Sequence, residues 1–395
     1  AATAAKAIYR NHKRVFGHDD DLAALRGWRA KSPELQRLWD ANKPATAWEG
    51  LTIRHDKRLV GIDLVKKGLT GAVPAEVGGL SALGKLVLNA NQISSLPAEL
   101  GKLSGLMTLT LNGNRLSSLP EEFGGLVGLR VLMIDDNQLK SLPSSLGRLT
   151  ALTDLHINGN KLKSLPHELG ALTALTGLYL GNNELVSVPV ALGALTALTR
   201  LMLNNNQLTS VPAALGGLTA LTELDLSSNA LTTLPGEYGR LTALTYLNLN
   251  ENQLSSLPAD FGRLTALTML GLKQNQLWSV PAALGRLTSL KNLDLGGNRL
   301  TSLPVTFGGL TALTKLGLTG NLLRSLPAAI GQLTALTQLA LSENQLTTVP
   351  AALGELTALT ILDLRGNRLV SIPAEWEVGA KLERGGCDVR RSMYR

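Results

Sequence analysis

Cysteine is almost missing from this chain. Its 395 residues contain one, Cys387, which excludes an internal disulfide framework. Aromatic residues are scarce at 4%. A large irregular core uses Phe, Tyr and Trp to fill uneven space, so a core without them must be regular and narrow. Charged residues stand at 17%, below the usual quarter. No run of about 18 apolar residues occurs, so no segment reads as a membrane span. Disorder is excluded from the other side, because an apolar content of 44% is too high for an unfolded chain.

Charge is unevenly placed. Residues 1–58 hold 12 Lys/Arg against 7 Asp/Glu, and residues 382–395 hold 4 against 2. The long middle, 59–381, holds 22 against 21. A nucleic-acid-binding surface carries its positive charge on the body that makes the contacts. Here that body is neutral, so nucleic acid is not an expected partner.

What is abundant is repetition, which is sought before secondary structure. Asn recurs at Asn91, Asn114, Asn137, Asn160, Asn183, Asn206, Asn229, Asn252, Asn275, Asn298, Asn321, Asn344 and Asn367, every gap being 23. Pro keeps the same period from Pro74 to Pro373. One repeat reads Leu83-x-x-Leu86-x-Leu88-x-x-Asn91-x-Ile93-x-x-Leu96-Pro97-x-x-Leu100-Gly101-x-Leu103. Thirteen such repeats run from Leu83 to Lys381, preceded by one of 24 residues, Leu59 to Ala82.

The repeat unit has its own physics. Leu86-x-Leu88 alternates with period two, the pattern of a short strand with one buried face. Such a strand needs neighbours, and in-phase stacking predicts a parallel sheet. The asparagine ends the strand, and its amide both donates and accepts, so it can satisfy turn backbone groups inside the coil. Leu-Pro then opens a return segment of one or two short helical turns, closed by Gly. Phe123, Tyr238, Phe261, Phe307, Ile330 and Trp376 stand at the Leu100 place and read as packing residues. Ahead of the array, Asp19-Asp20-Asp21 before Leu22, Leu25 and Trp28, and Ser32-Pro33-Glu34 before Leu35, Leu38 and Trp39, are two helix-start signals.

The LxxLxLxxN core at this length resembles the leucine-rich-repeat family, over 323 of the 395 residues. The LPxxLGxLxxL half resembles the Ras-suppressor type, including the plant intracellular group. The first repeat departs: Leu69-Thr70-Gly71-Ala72-Val73-Pro74 is similar to the LxGxIP signature of plant-type repeats, with Lys67 in the asparagine place. Trp48-Glu49-Gly50 resembles the N-terminal cap of plant-like and algal members. The resemblance implies an α/β leucine-rich-repeat solenoid. It would form a right-handed arc, with a parallel β-sheet on the concave face, short helical or 3-10 turns on the convex face and a helical N-terminal cap. The expected division is a basic arm at 1–18, a helical cap at 19–58, a solenoid of 14 repeats at 59–381 and a basic tail at 382–395. Extracellular members usually cap with paired cysteines. Their absence points to an intracellular, cytoplasmic location, or to an organelle if the acid-free arm at 1–18 follows a removed targeting segment.

Residues flanking the strand leucines are expected on the concave side, six, four and two places before each asparagine. These columns vary where most repeat positions are monotonous, and a scaffold-neutral position is where specificity can be written. Val131, Met133, His156, Tyr179, Met202, Tyr246 and Met269 form an apolar and aromatic band. Asp135, Asp136, Asp154, Glu223 and Asp225 border it, and Arg200 lies inside. Aromatic, Met and Arg side chains are what interface centres favour. The candidate partner-binding residues are therefore Met133, His156, Tyr179, Arg200, Met202, Glu223, Asp225, Tyr246 and Met269. Trp278, standing where neighbouring repeats have Ser or Thr, is a candidate outer-face contact. Arg240, Arg263 and Arg286 make a small basic stripe on the return side, read as solvated.

Chemistry has little to work with. Asp135, Asp154 and His156 could hold a metal or orient a base, but no second His is near and no Ser or Cys nucleophile shares their strands. No phosphate-cradling glycine motif occurs. The expectation is a non-enzymatic scaffold that takes a protein or peptide, with no cofactor and no metal. Two alternatives stand beside it. One is a structural or peripheral subunit of a large multiprotein assembly, organellar in one version, that uses its termini and outer face. The other is a signalling or defence regulator of Ras-suppressor type.

Overall fold

A computed structural model of the chain describes residues 19–370 and the strand 388–390. The chain divides into two bodies, one up to Leu185 and one from Val186, and each is built by the same local rule.

The N-terminal body begins with α1 (Asp19–Lys31) and α2 (Pro33–Leu38). Ser32 caps α2, its hydroxyl accepting from the Leu35 N–H, as Ser-Pro-Glu predicts. Trp28, Trp39 and Trp48 form the cap's core: Trp48 stacks on Trp39 at 5.0 Å, and Trp28 meets it edge-on at 6.3 Å. Asp21 was read from the sequence as part of a helix N-terminus. It is fully buried and accepts from Arg58 Nε at 3.0 Å and from the Leu59 N–H at 3.1 Å, so it ties α1 to the first repeat strand.

Strand β1 (Leu51–Ile53) is antiparallel to β2 (Leu59–Asp63). Strand β1 lies inside the segment read as a helical cap, 19–58, whereas β2 opens the first repeat. From β2 the sheet is parallel: β4 (Lys85–Val87), β6 (Thr108–Thr110), β7 (Val131–Met133), β8 (Asp154–His156) and β9 (Gly177–Tyr179) follow in register. Two strands the repeat pattern did not announce, β3 (Thr70–Ala72) and β5 (Gln92–Ser95), pair as a small second sheet.

The C-terminal body continues with β10 (Arg200–Met202), β11 (Glu223–Asp225), β12 (Tyr246–Asn248), β13 (Met269–Gly271), β14 (Asn292–Asp294), β15 (Lys315–Gly317), β16 (Gln338–Ala340) and β17 (Ile361–Asp363), parallel and in register. Strand β18 (Asp388–Arg390) pairs with β17, although the sequence places these residues in a basic tail. The rest of that tail, the arm at 1–18, Trp376 and Cys387 lie outside the described residues.

Among the described residues, each repeat from Ala75–Gly79 to Ala351–Glu355 returns through a five-residue 3-10 turn such as Ser144–Arg148. Its proline precedes the turn in extended conformation, as at Pro166 with φ −67 and ψ 142. The glycine in the turn is required by a close approach: a Cβ on Gly147 would lie 2.4 Å from the Glu168 carbonyl oxygen in the next turn. The repeat leucines inside the coil are buried from Leu59 to Leu364, and Phe123, Tyr238, Phe261, Phe307 and Ile330 fill the Leu100 place with at most 1% exposure. These are packing residues.

The asparagines line up and do the work their amides allow. Asn114 donates through Nδ2 to the Leu88 carbonyl at 3.0 Å and to its own Leu111 carbonyl at 2.9 Å. Its Oδ1 accepts from the Ile93 N–H of the preceding repeat at 3.0 Å. The same bridging is made from Asn91 through Asn183 and from Asn229 through Asn367. Asn206 donates within its own repeat to Leu203 and Asn204. The residue before each asparagine is in the left-handed region, as Ala90, Gly113 and Gln274 show.

A candidate recognition face on the strands

The leucines at the strand centres point into the coil, so the residues on either side of them share the opposite, open face. In the N-terminal body, register sets Met133 beside His156 and His156 beside Tyr179. The two rings stack with centroids 4.0 Å apart and planes 17° from parallel. Gly177 makes room for this. A Cβ there would meet Tyr179 Cε2 at 2.8 Å and Asp154 Oδ1 at 3.2 Å, so the tyrosine folds back over a residue without a side chain.

Carboxylates edge the stack. Asp135 Oδ2 lies 4.0 Å from His156 Nδ1, and Asp135 Oδ1 accepts from the Asn158 N–H at 2.7 Å. Burial raises the Asp135 pKa, with the Asn158 hydrogen bond and the His156 charge pulling the other way. Asp154 Oδ2 accepts from the Thr153 hydroxyl at 2.8 Å. Thr110, one strand before Met133 in the same column, is 8% exposed, and its hydroxyl has no hydrogen-bond partner.

The C-terminal body places the other candidates in two rows. Arg200, Glu223, Tyr246 and Met269 are register neighbours, and so are Met202, Asp225 and Asn248. Arg200 Nε donates to Glu223 Oε1 at 3.1 Å, with both side chains well exposed, a pair contributing little to stability. The Tyr246 hydroxyl pKa is raised, first by burial and then by the charges of Asp225 and Glu223, which keeps it a donor. Asp225 is held by the scaffold: its Oδ1 accepts from the Ser227 N–H at 2.9 Å and the Ser227 hydroxyl at 2.6 Å.

Trp278 stands apart, 61% exposed on the flank that follows the asparagine. The Arg240, Arg263 and Arg286 stripe ends successive return turns, and Arg263 pairs with Asp260 at 3.5 Å. Sequence reasoning missed the open grooves between return turns lined by Glu121, Glu122, Arg148 and Glu168, since charges on a helical segment read simply as a solvated face. It also missed a threonine ladder, in which Thr222, Thr245 and Thr268 donate to the carbonyl 23 residues earlier at 3.0, 3.1 and 2.9 Å. Its period was visible in the sequence. Among the described residues no group of three or more His, Cys, Asp or Glu is placed to hold a metal, and no helix is long and apolar enough to cross a membrane.

Comparison with known proteins agrees with this geometry. The family model "Leucine rich repeat" matches residues 175–231, 219–277, 280–323 and 323–369, and "Leucine-rich repeat region" matches 63–160. A solved leucine-rich-repeat protein of Leptospira interrogans is 34% identical, with a TM-score of 0.66 over 83% of this chain and 94% of that one. The plant peptide hormone receptor RGFR1, solved in complex with RGF2, is 29% identical with a TM-score of 0.64, over 82% of this chain and 64% of the receptor. A probable leucine-rich repeat receptor-like protein kinase of Arabidopsis thaliana is 33% identical over 78 residues. This chain spans 8% of that kinase's length.

Proposed function

The chain belongs to the leucine-rich-repeat family, and from that premise we propose that it is a non-enzymatic scaffold which docks a protein or peptide on the open face of its strands. One observation carries the reading. The buried positions of every repeat are nearly invariant, whereas the open face concentrates Met133, the His156–Tyr179 stack and Asp135 in adjacent strands. Side chains of this kind, held in place by a hydrogen-bonded sheet, are what interface centres use. A structural neighbour solved with a bound hormone, RGFR1 with RGF2, supports the same use of the fold. The repeat subtype we infer is the 23-residue Ras-suppressor kind. The lone cysteine supports a reducing compartment as the site of action, and likeness to a receptor-like kinase supports a place in signalling.

The test uses a displayed random-peptide library selected against the whole protein. Selected peptides should lose about tenfold or more in affinity on Tyr179→Ala, the loss typical of a central interface aromatic, while Trp278→Ser leaves them unchanged. Binders that ignore Tyr179→Ala and His156→Ala, and instead protect the return turns from hydrogen exchange, would sink the proposal.

A further inference from the structure

A second surface lies away from the open strand face, on the flank that follows each asparagine. In the repeats from Asn91 to Asn344 the residues one and three places after the asparagine face outward, while those two and five places after it are buried. The chain steps from repeat to repeat along this flank by single backbone hydrogen bonds. The Arg299 N–H donates to the Leu277 carbonyl at 2.8 Å and the Leu322 N–H to the Leu300 carbonyl at 2.9 Å. Trp278, Arg299, Leu322 and Arg324 therefore share a strip across three repeats, roughly 10 Å over two strand spacings.

The content of that strip is unusual. From Gln207 to Val370 these two columns contain no Asp or Glu, but they contain Arg299, Arg324 and Arg368. Those arginines are exposed and form no ion pair among the described residues. Trp278 is 61% exposed and Leu322 40%, where the same columns elsewhere mostly carry Gln, Ser or Thr. The indole N–H of Trp278 has no hydrogen-bond partner among the described residues. Guanidinium and indole groups only donate. The strip thus offers donors, positive charge and two apolar side chains on a hydrogen-bonded backbone, with no carboxylate of its own.

We propose that this flank is a second docking site, and that its partner is an acidic protein segment carrying an apolar anchor residue between carboxylates. The anchor would cover Trp278 and Leu322, and the carboxylates would meet Arg299 and Arg324, where planar guanidinium groups bind carboxylates two bonds at a time. The chain's own termini do not fit the site. Residues 1–18 contain no acid, and residues 371–395 carry five Lys/Arg against four Asp/Glu. A bilayer does not fit it either, because membrane attachment uses clustered basic residues and the neighbouring columns of Gln, Ser and Thr are uncharged. A rigid strip of this kind loses little conformational entropy on binding.

The experiment titrates the whole protein with a fluorescein-labelled synthetic peptide of alternating Glu and Leu, and with a control in which every Glu is Lys, following anisotropy. The Glu peptide should bind saturably, weakening severalfold between about 50 and 500 mM salt as screening shortens the electrostatic reach. The Lys peptide should not bind. Trp278→Ser, Arg299→Gln and Arg324→Thr install the residues usual at those places, so the fold is kept. Combined, they should reduce affinity at least about tenfold, as loss of a Trp–Arg hot spot does, whereas Tyr179→Ala leaves it intact. The proposal is overturned by Glu-peptide binding that survives the triple variant, or by equal binding of the Lys peptide. It also fails if Trp278-dependent binding appears only to phosphatidylserine vesicles, or if Trp278→Ser instead abolishes self-association in sedimentation equilibrium.

Discussion

The two bodies solve one problem in two ways, and the difference decides where recognition can sit. In every repeat the backbone N–H two places before the asparagine needs an acceptor as the chain leaves the strand. In the N-terminal body the first repeat caps the Val65 N–H from Asp63 in its own strand at 3.3 Å, but from Asn112 to Gly181 the acceptor comes across strands, from the same column of the previous repeat. Asn89 Oδ1 accepts from Asn112, Asn112 from Asp135, Asp135 from Asn158 and Asn158 from Gly181, at 2.7–2.9 Å. The C-terminal body mostly supplies it along the strand, from the residue two places earlier: Asp225 caps Ser227, Asn248 caps Asn250, Asp294 caps Gly296 and Asp363 caps Arg365. Gly271, Gly317 and Ala340 offer no such cap. Gly271 has no side chain to cap Lys273, and there Asn250 reaches across at 2.8 Å. Cross-strand capping releases the minus-four column of the N-terminal body from backbone duty, and that column holds Val87, Thr110, Met133, His156 and Tyr179. The corresponding column of the C-terminal body gives Asp225, Asn248, Asp294 and Asp363 to capping, and Met202, Gly271, Gly317 and Ala340 fill its other places.

Moving the cap from one column to the other is the sharpest way to break this comparison. Asp294→Ala should cost on the order of 1–3 kcal/mol by leaving the Gly296 N–H without its acceptor. His156→Ala, which caps nothing and loses only its stack on Tyr179, should cost less, about 0.5–1 kcal/mol. Asp135→Leu should cost as much as Asp294→Ala. Adding His156→Asp to it should restore part of the loss, because an in-strand cap then serves Asn158. Urea unfolding followed by circular dichroism gives these four values and that of His156→Asp alone, and the coupling term of the Asp135→Leu/His156→Asp cycle reads the rescue. Additive losses at Asp135 and His156 would show that the two capping modes are not interchangeable.

A smaller effect is expected at the residue before each asparagine, which both bodies hold in the left-handed region. Ala90 has φ 56 in the N-terminal body and Gln274 has φ 53 in the C-terminal body, a conformation that costs an L-residue roughly 1–2 kcal/mol. Glycine removes that strain but adds freedom to the unfolded chain. Ala90→Gly and Gln274→Gly should each therefore stabilise by a few tenths to about 1 kcal/mol. Asn182→Gly should do less, since Asn tolerates this region. Thermal melts of the three variants check the order, and unequal gains at Ala90 and Gln274 would mean the turn differs between the bodies.

Most of the scaffold could be read in the sequence because one physical unit is written many times. The 23-residue spacing located the strands, and the two-sided chemistry of the amide assigned the asparagines their bridging role. What stayed hidden is what depends on a partner far along the chain. Asp21 looked like one acid of three at a helix start, yet its partner Arg58 is 37 residues away. The strand β1 is three residues long and belongs to no repeat. On the open face, the columns placed His156 and Tyr179 side by side, but the stacked geometry also needed Gly177, whose meaning appears only when the ring lies over it. Asp225 was grouped with the binding residues because the column carries no label saying that its carboxylate already caps Ser227.

The smallest effect is a pair of opposite pH slopes, small because both carboxylates keep some contact with water. Burial raises the Asp135 pKa in the folded chain, so the fold disfavours its charged form. Its contribution is most favourable below the ordinary Asp value of about 3.9 and is lost as pH rises through the raised folded value. Asp363 behaves in the reverse sense. Its pKa is lowered, first by the hydrogen bonds from Arg365, whose Nη2 lies 2.7 Å from Oδ2. That contribution is present above the ordinary value and is lost as pH falls through the lowered folded one. By linkage, the stability of Asp135→Asn relative to the parent should climb as pH rises across the acid range, and that of Asp363→Asn should decline. Denaturant midpoints taken at intervals from about pH 3 to pH 6 read both slopes. Parallel slopes would mean that the first carboxylate is not desolvated by the column beside His156, and would take away the low-dielectric edge on which the proposed recognition face relies.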